Sequence, residues 1–67
     1  MDDRFKDFCL NISKARMSLN MSAYELSLQL GKDRTYISKV ETGKVNIGIK
    51  TIYQICDILQ IDPKTLL

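Results

Sequence analysis

The strongest constraint on this chain is a run of 22 residues, Ser22 to Gly43, SAYELSLQLGKDRTYISKVETG, in which start and stop signals for helices fall unusually close together. Ser22 followed three residues later by Glu25 is a capping box, in which the serine oxygen and the glutamate carboxylate satisfy each other's backbone N–H groups. Met21 and Leu26 flank that cap as a hydrophobic staple does. Gly31 supplies the left-handed residue that ends a helix, and Gly43 repeats the signal twelve residues on. Asp33 stands where it can accept N–H bonds from the first turn of a further helix. The stretch has room for two short helices joined by a tight turn and for little else.

The rest of the chain reads as helix too. Phe5, Phe8/Cys9, Ile12, Ala15 and Leu19 recur at steps of three and four, marking an amphipathic helix over about 3–18 that Asn20 can end in the left-handed conformation. A fourth helix runs from about Gly48 to Leu59, with Ile49, Ile52, Tyr53, Cys56 and Leu59 expected inward. Asp62-Pro63 opens a last turn, aspartate as cap and proline at the first helical position. The expectation is an all-α bundle of about five short helices, one domain over 1–67, with the helix-turn-helix unit at about 22–43. At 67 residues such a chain buries only a modest core.

Composition narrows the function. No apolar run approaches the roughly 20 residues that span a bilayer, and MDDRFKDF at the start lacks a signal-peptide core, so a cytoplasmic protein without membrane contact is expected. There is no histidine, and Cys9 and Cys56 lie far apart among apolar residues. They read as small buried hydrophobes, with a redox switch or disulfide as the alternative. No metal spacing, nucleophile–base pair, phosphate loop or carboxylate cluster is present, so neither a cofactor, a metal nor an enzyme activity is expected. Net charge is only +2, but residues 14–50 hold seven basic side chains against three acidic ones, a local +4 between mildly acidic ends. That distribution suits contact with a polyanion through one face, or simply a solvated helix surface.

On the helix after the turn, Ile37 and Val40 point together toward a core, while Thr35, Ser38 and Lys39 point away, with Arg34 beside them and Tyr36 at the boundary. A rigid first helix presenting a polar second helix is how a protein enters the DNA major groove. Ser38 is small enough to let the backbone near the groove floor.

From Arg16 to the C-terminus the sequence resembles the Cro/phage-repressor (xenobiotic-response-element-like) family of helix-turn-helix domains. The pieces in register are Arg16-x-x-x-Asn20-Met21-Ser22, Glu25-Leu26, Leu30-Gly31, the unbroken run Asp33 to Lys44, Thr51-Ile52, Ile55, Leu59 and Asp62-Pro63. The resemblance implies a five-helix, lambda-repressor-like fold and sequence-specific binding of double-stranded DNA, commonly as a homodimer on a palindromic operator. It places base reading on Arg34, Thr35 and Lys39, with Tyr36 as a fourth. Arg34 can fork onto guanine O6 and N7, or hold a phosphate that positions without specifying. Tyr36 can instead pack at the helix junction with its hydroxyl on a phosphate. Thr42, Lys44 and Asn46, together with Ser38, fall where the family grips the DNA backbone, and Arg16 and Glu41 where it makes a structural ion pair.

Three positions depart from the family pattern. Ala23 replaces a glutamine that touches phosphate, leaving Ser22 or Tyr24 to supply that contact. Lys32 replaces an apolar turn residue, so its stem must lie along the surface. Ile47-Gly48 replaces Pro-Ser and weakens the cap of the fourth helix. Within the family, DRTYIS and the Asn46–Thr51 run NIGIKT are similar to restriction–modification controller proteins, short dimeric regulators of their own operons. Phage-type repressors and antitoxins are the alternatives. Regulation by occluding or touching RNA polymerase needs only the bound dimer. Surplus apolar surface at Ile55, Ile58, Leu66 and Leu67 points to the dimer interface, unless the first helix covers it. A protein-interaction or targeting domain without DNA readout is the rival of another class.

Overall fold

The structure is a computed structural model that describes residues 3–66, with side chains described for residues 4–64. Five helices succeed one another: α1 Asp3–Ser18, α2 Ala23–Gln29, α3 Tyr36–Glu41, α4 Ile49–Leu59 and α5 Pro63–Leu66. None is long and apolar enough to cross a membrane.

Four of the helices end in the same way. After α1, α2, α3 and α4 one residue turns left-handed, Asn20 (φ 55°), Gly31 (φ 72°), Gly43 (φ 76°) and Gln60 (φ 58°). The N–H of the next residue then reaches back to a carbonyl inside the helix: Met21 to Arg16, Lys32 to Ser27, Lys44 to Lys39 and Ile61 to Cys56, all within 2.8–3.1 Å. Each ending satisfies carbonyls that would otherwise be orphaned and reverses the chain in two residues. Three of these stops carry asparagine or glycine, which accept this backbone without strain. Gln60 is the exception.

The core is drawn from every helix of the first four: Phe8, Cys9 and Ile12 from α1, Leu26 from α2, Ile37 and Val40 from α3, and Ile52, Ile55, Cys56 and Leu59 from α4. Ile12, Leu26, Ile37, Val40 and Ile55 are wholly enclosed. The stripe on α4 differs from the sequence expectation. It runs Ile52, Ile55, Cys56, Leu59, an i, i+3, i+4, i+7 set, while Ile49 and Tyr53 are more than half exposed. At about 100° per residue those two sit on the flank of the stripe, so a periodicity that includes either neighbour fits the sequence equally well. Ile55, expected at a subunit interface, is corrected by the same observation, because it faces its own core at 0% exposure. Ile58 is half-buried against the core; the side chains of Leu66 and Leu67 lie outside the described residues. On α1, Leu19 is exposed rather than buried, since the helix has already ended before it.

Candidate nucleic-acid interface

The α2–α3 unit is positioned by polar contacts as well as by its core. Ser22 opens α2 with the capping box: its oxygen accepts the Glu25 N–H at 3.0 Å, and the Glu25 carboxylate accepts the Ser22 N–H at 3.4 Å. Ser27 is fully buried. Its hydroxyl donates to the Ala23 carbonyl at 2.8 Å and accepts the Ile37 N–H at 2.9 Å. A helix start leaves its first N–H groups without intrahelical partners, and here α2 supplies one from its own side chain. Ser27 therefore caps α3 from the neighbouring helix and fixes the distance between the two.

This corrects the role expected of Asp33. Its Oδ1 accepts bonds from the Thr35 N–H at 2.7 Å and the Thr35 hydroxyl at 2.5 Å, a turn closed before the helix begins, and its backbone carbonyl takes the Tyr36 N–H. Thr35 is the residue preceding α3 and makes no side-chain cap bond. The two bonds from Thr35, the hydroxyl's above all, hold the Asp33 carboxyl below the usual carboxylate range, with smaller help from the charges of Lys39 and Arg34.

The far end of α3 is tied to α1. Arg16 donates from Nε and Nη2 to the two oxygens of Glu41, at 2.9 and 3.0 Å, and from Nη1 to the Met21 carbonyl at 2.9 Å. Both side chains are some 13–14% exposed, so the fork is shielded on most sides. One guanidinium thus joins the end of α1, the turn before α2 and the end of α3. The bond to Glu41 strengthens the proton affinity of Arg16 still further.

What this frame presents is a polar face. Arg34, Thr35, Ser38 and Lys39 are exposed, Tyr36 is half-buried, and Ile37 and Val40 between them are sealed. Lys32, whose stem was expected to lie along the surface, has its Nζ 5.6 Å from the centre of the Tyr36 ring, within cation–π range. Tyr24, Thr42, Lys44 and Asn46 are exposed around this face. The hydroxyls expected on phosphates are partly spoken for. Thr42 donates to the Ser38 and Lys39 carbonyls at 3.0 and 3.2 Å, and Ser22 serves its capping box. Phosphate oxygens only accept, so the contacts suited to them without rearrangement are Arg34, Lys39, Lys44, Asn46 and the Tyr24 and Ser38 hydroxyls.

Ser27 was missed at the sequence level; a serine between two leucines on a helix gives no sign that it is buried. Gly48 begins α4 without a side-chain cap, as its sequence implied. Cys9 and Cys56 are free and buried; Cys9 donates to the Val40 carbonyl at 3.1 Å. Burial pushes both thiols above their ordinary value, with the charge of Glu41 adding at Cys9 and those of Asp57 and Asp62 at Cys56. Among the described residues no group of histidine, cysteine or acidic side chains could hold a metal.

A short rigid helix carrying a cationic, hydrogen-bonding face beside a tight turn defines the helix-turn-helix class of DNA-binding domain. The helix-turn-helix family profile matches residues 12–66, and the chain belongs to that family, one of DNA-binding regulators that act on double-stranded DNA and not of enzymes. Control protein C.BamHI of Bacillus amyloliquefaciens is 38% identical over 58 residues, covering 87% of this chain and 67% of that protein. The restriction-modification controller protein C.AhdI of Aeromonas hydrophila has the same fold, with a TM-score of 0.85 at 29% identity over 97% of both chains. A hypothetical transcription factor of Neisseria, NHTF, superposes with a TM-score of 0.87 at 33% identity, over 98% of this chain and 75% of that one.

Proposed function

We propose that this protein is a cytoplasmic controller of a restriction–modification operon, which binds a palindromic operator as a homodimer and sets transcription by where it sits relative to RNA polymerase. The observation that carries the reading is the α3 face: Arg34, Thr35, Ser38 and Lys39 exposed on a helix whose opposite side, Ile37 and Val40, is sealed at 0%. The likeness to two restriction–modification control proteins supports the controller role. In this reading Arg34 forks onto a guanine, Thr35 and Lys39 contact neighbouring base edges, and Tyr36 borders them with its ring held beneath Lys32. Tyr24, Lys44 and Asn46 grip the backbone on either side.

A two-fold pair sets its recognition helices about 34 Å apart, one helical turn of DNA. With Ile55 inside the protomer, the dimer surface falls to Ile58, the C-terminal leucines and the exposed α4 pair Ile49 and Tyr53. Fluorescence anisotropy with a random duplex across a salt series tests the DNA reading, since affinity must fall steeply as salt rises. Absence of binding at low salt would establish instead a protein-interaction domain. Once sites are selected from random DNA, Arg34→Ala flattens the preference at one base pair of each half-site. Sedimentation at micromolar concentration tests the dimer, and a strict monomer rejects it.

A further inference from the structure

Resting on that reading, we infer that Asp33 is a specificity-determining residue: by holding the Thr35 hydroxyl proton it makes Thr35 a probe that can only accept, which selects an A·T pair beneath it. The geometry is explicit. One carboxylate oxygen takes both donors of Thr35, its N–H at 2.7 Å and its hydroxyl at 2.5 Å, the latter within the range of a charge-assisted O–H···O bond. The serine and threonine hydroxyl has one proton and two lone pairs. With the proton committed, Thr35 offers DNA its lone pairs and its methyl group.

Major-groove chemistry then sorts the base pairs. Acceptors seek donors, and the donors there are adenine N6 and cytosine N4; guanine N7 and O6 and thymine O4 present lone pairs and repel. The methyl group favours the thymine methyl. Only an A·T pair offers an amino donor and a methyl together. A G·C pair offers the amine without the methyl. An unrestrained threonine would lose this discrimination, because its hydroxyl could turn and donate to guanine as readily as it accepts from adenine.

The charge of Asp33 makes the lock costly. It sits between Lys32 and Arg34 on the face that meets phosphates, where a carboxylate opposes binding. Asparagine would close the same turn without that repulsion, though a neutral acceptor bonds the hydroxyl roughly half as strongly. The pair Asp33→Asn and Asp33→Ala therefore separates charge from hydrogen bonding, since both remove the charge and only the first keeps an acceptor.

The experiment selects half-sites from a random duplex library with the wild-type protein, then measures relative affinity for all four pairs at each position for wild type, Asp33→Asn, Asp33→Ala and Thr35→Val. Wild type and Asp33→Asn are expected to prefer A·T over G·C about tenfold at one position, in the range of a single mismatch. Asp33→Ala should lower that preference to about threefold or less there alone, and Thr35→Val should alter the same position. Asp33→Ala and Asp33→Asn profiles that coincide at every position overturn the inference. So does a uniform loss across all positions, which would make Asp33 only a support for the helix, and so does a Thr35→Val profile equal to wild type. A wild-type protein without any base preference instead rejects the DNA-reading function itself.

Discussion

Replacing Ser27 with alanine removes one oxygen atom, yet it should cost this protein a large part of its stability. The hydroxyl makes two bonds, but they are not equivalent. The Ala23 carbonyl lies within α2, at the i−4 position of Ser27, and keeps its helical partner when the side chain goes. The Ile37 N–H has no such reserve. It lies in the first turn of α3, its residue is 0% exposed, and its bond at 2.9 Å is to Ser27. Orphaning a buried donor costs about 1–3 kcal/mol, and the small void left by the oxygen adds to the loss, for a total of about 2–3 kcal/mol. In a domain of this size that lowers Tm by roughly 10–20 °C. Urea and thermal unfolding of Ser27→Ala against wild type measure the loss. Hydrogen exchange locates it, because the Ile37 amide should lose protection before the amides of α4 do. A variant within about 0.5 kcal/mol of wild type, the size of an ordinary surface substitution, with Ile37 still protected, would refute the argument that α2 caps α3 through this side chain.

Other consequences are open to direct measurement. Arg16→Met keeps the aliphatic stem but strips Glu41 and the Met21 carbonyl of their donors; with the pair only partly shielded, the expected loss is about 2–3 kcal/mol, below that for a fully buried pair, and an unchanged urea midpoint would contradict it. Gln60→Gly should stabilise by about 0.5–1 kcal/mol, the relief of a left-handed backbone less the entropy glycine adds to the unfolded chain; a lower Tm would show that the glutamine side chain compensates. The raised pKa of Cys9 and Cys56 means that native protein at pH 8 should react slowly with Ellman's reagent and unfolded protein quickly. By linkage, the unfolded thiols ionise first as pH climbs past their ordinary value of 9.0, so the contribution of the buried thiols to stability is full below that pH and lost as pH rises through the higher folded values. Fast native labelling would disprove it.

A feature was legible in the sequence when its cause is local. The capping box at Ser22, the left-handed stops at Asn20, Gly31 and Gly43, and the inward pair Ile37 and Val40 are all determined within five residues, and the sequence displays them. The stop at Gln60 was invisible because glutamine is not a residue that favours that backbone. It is imposed by the next residue, Ile61, which turns back to bond Cys56 and packs on the core. The α4 stripe was misread at Ile49 and Tyr53, where apolar residues at several phases leave the buried face to be chosen by the helices packed against it. The Asp33–Thr35 turn is local, and Asp33 was read as the cap of α3 when its carboxylate closes the turn before it; Ser27 belongs with the α4 stripe. A side chain's partner is a tertiary fact, and no spacing in the sequence distinguishes a serine that caps its own helix from one that caps the next.

Those partners bear on function as much as on stability. Among the hydroxyls that the sequence assigned to DNA, those of Ser22, Thr35 and Thr42 already serve the fold: one in the α2 capping box, one on Asp33, one on the last carbonyls of α3. Their protons hold the ends of α2 and α3 in place. In the proposed reading, the DNA contacts that need a donor pass to groups with protons to spare, Arg34, Ser38 and Lys39 on the α3 face and Tyr24, Lys44 and Asn46 around it. A six-residue recognition helix has little intrinsic stability, so it must be held from both ends. Ser27 holds one end, Arg16 with Glu41 the other. In the proposed reading the residues that contact bases are positioned by residues behind them, and a substitution in that frame should weaken binding at every position of the operator, whereas one on the reading face should change the preference at a single base pair.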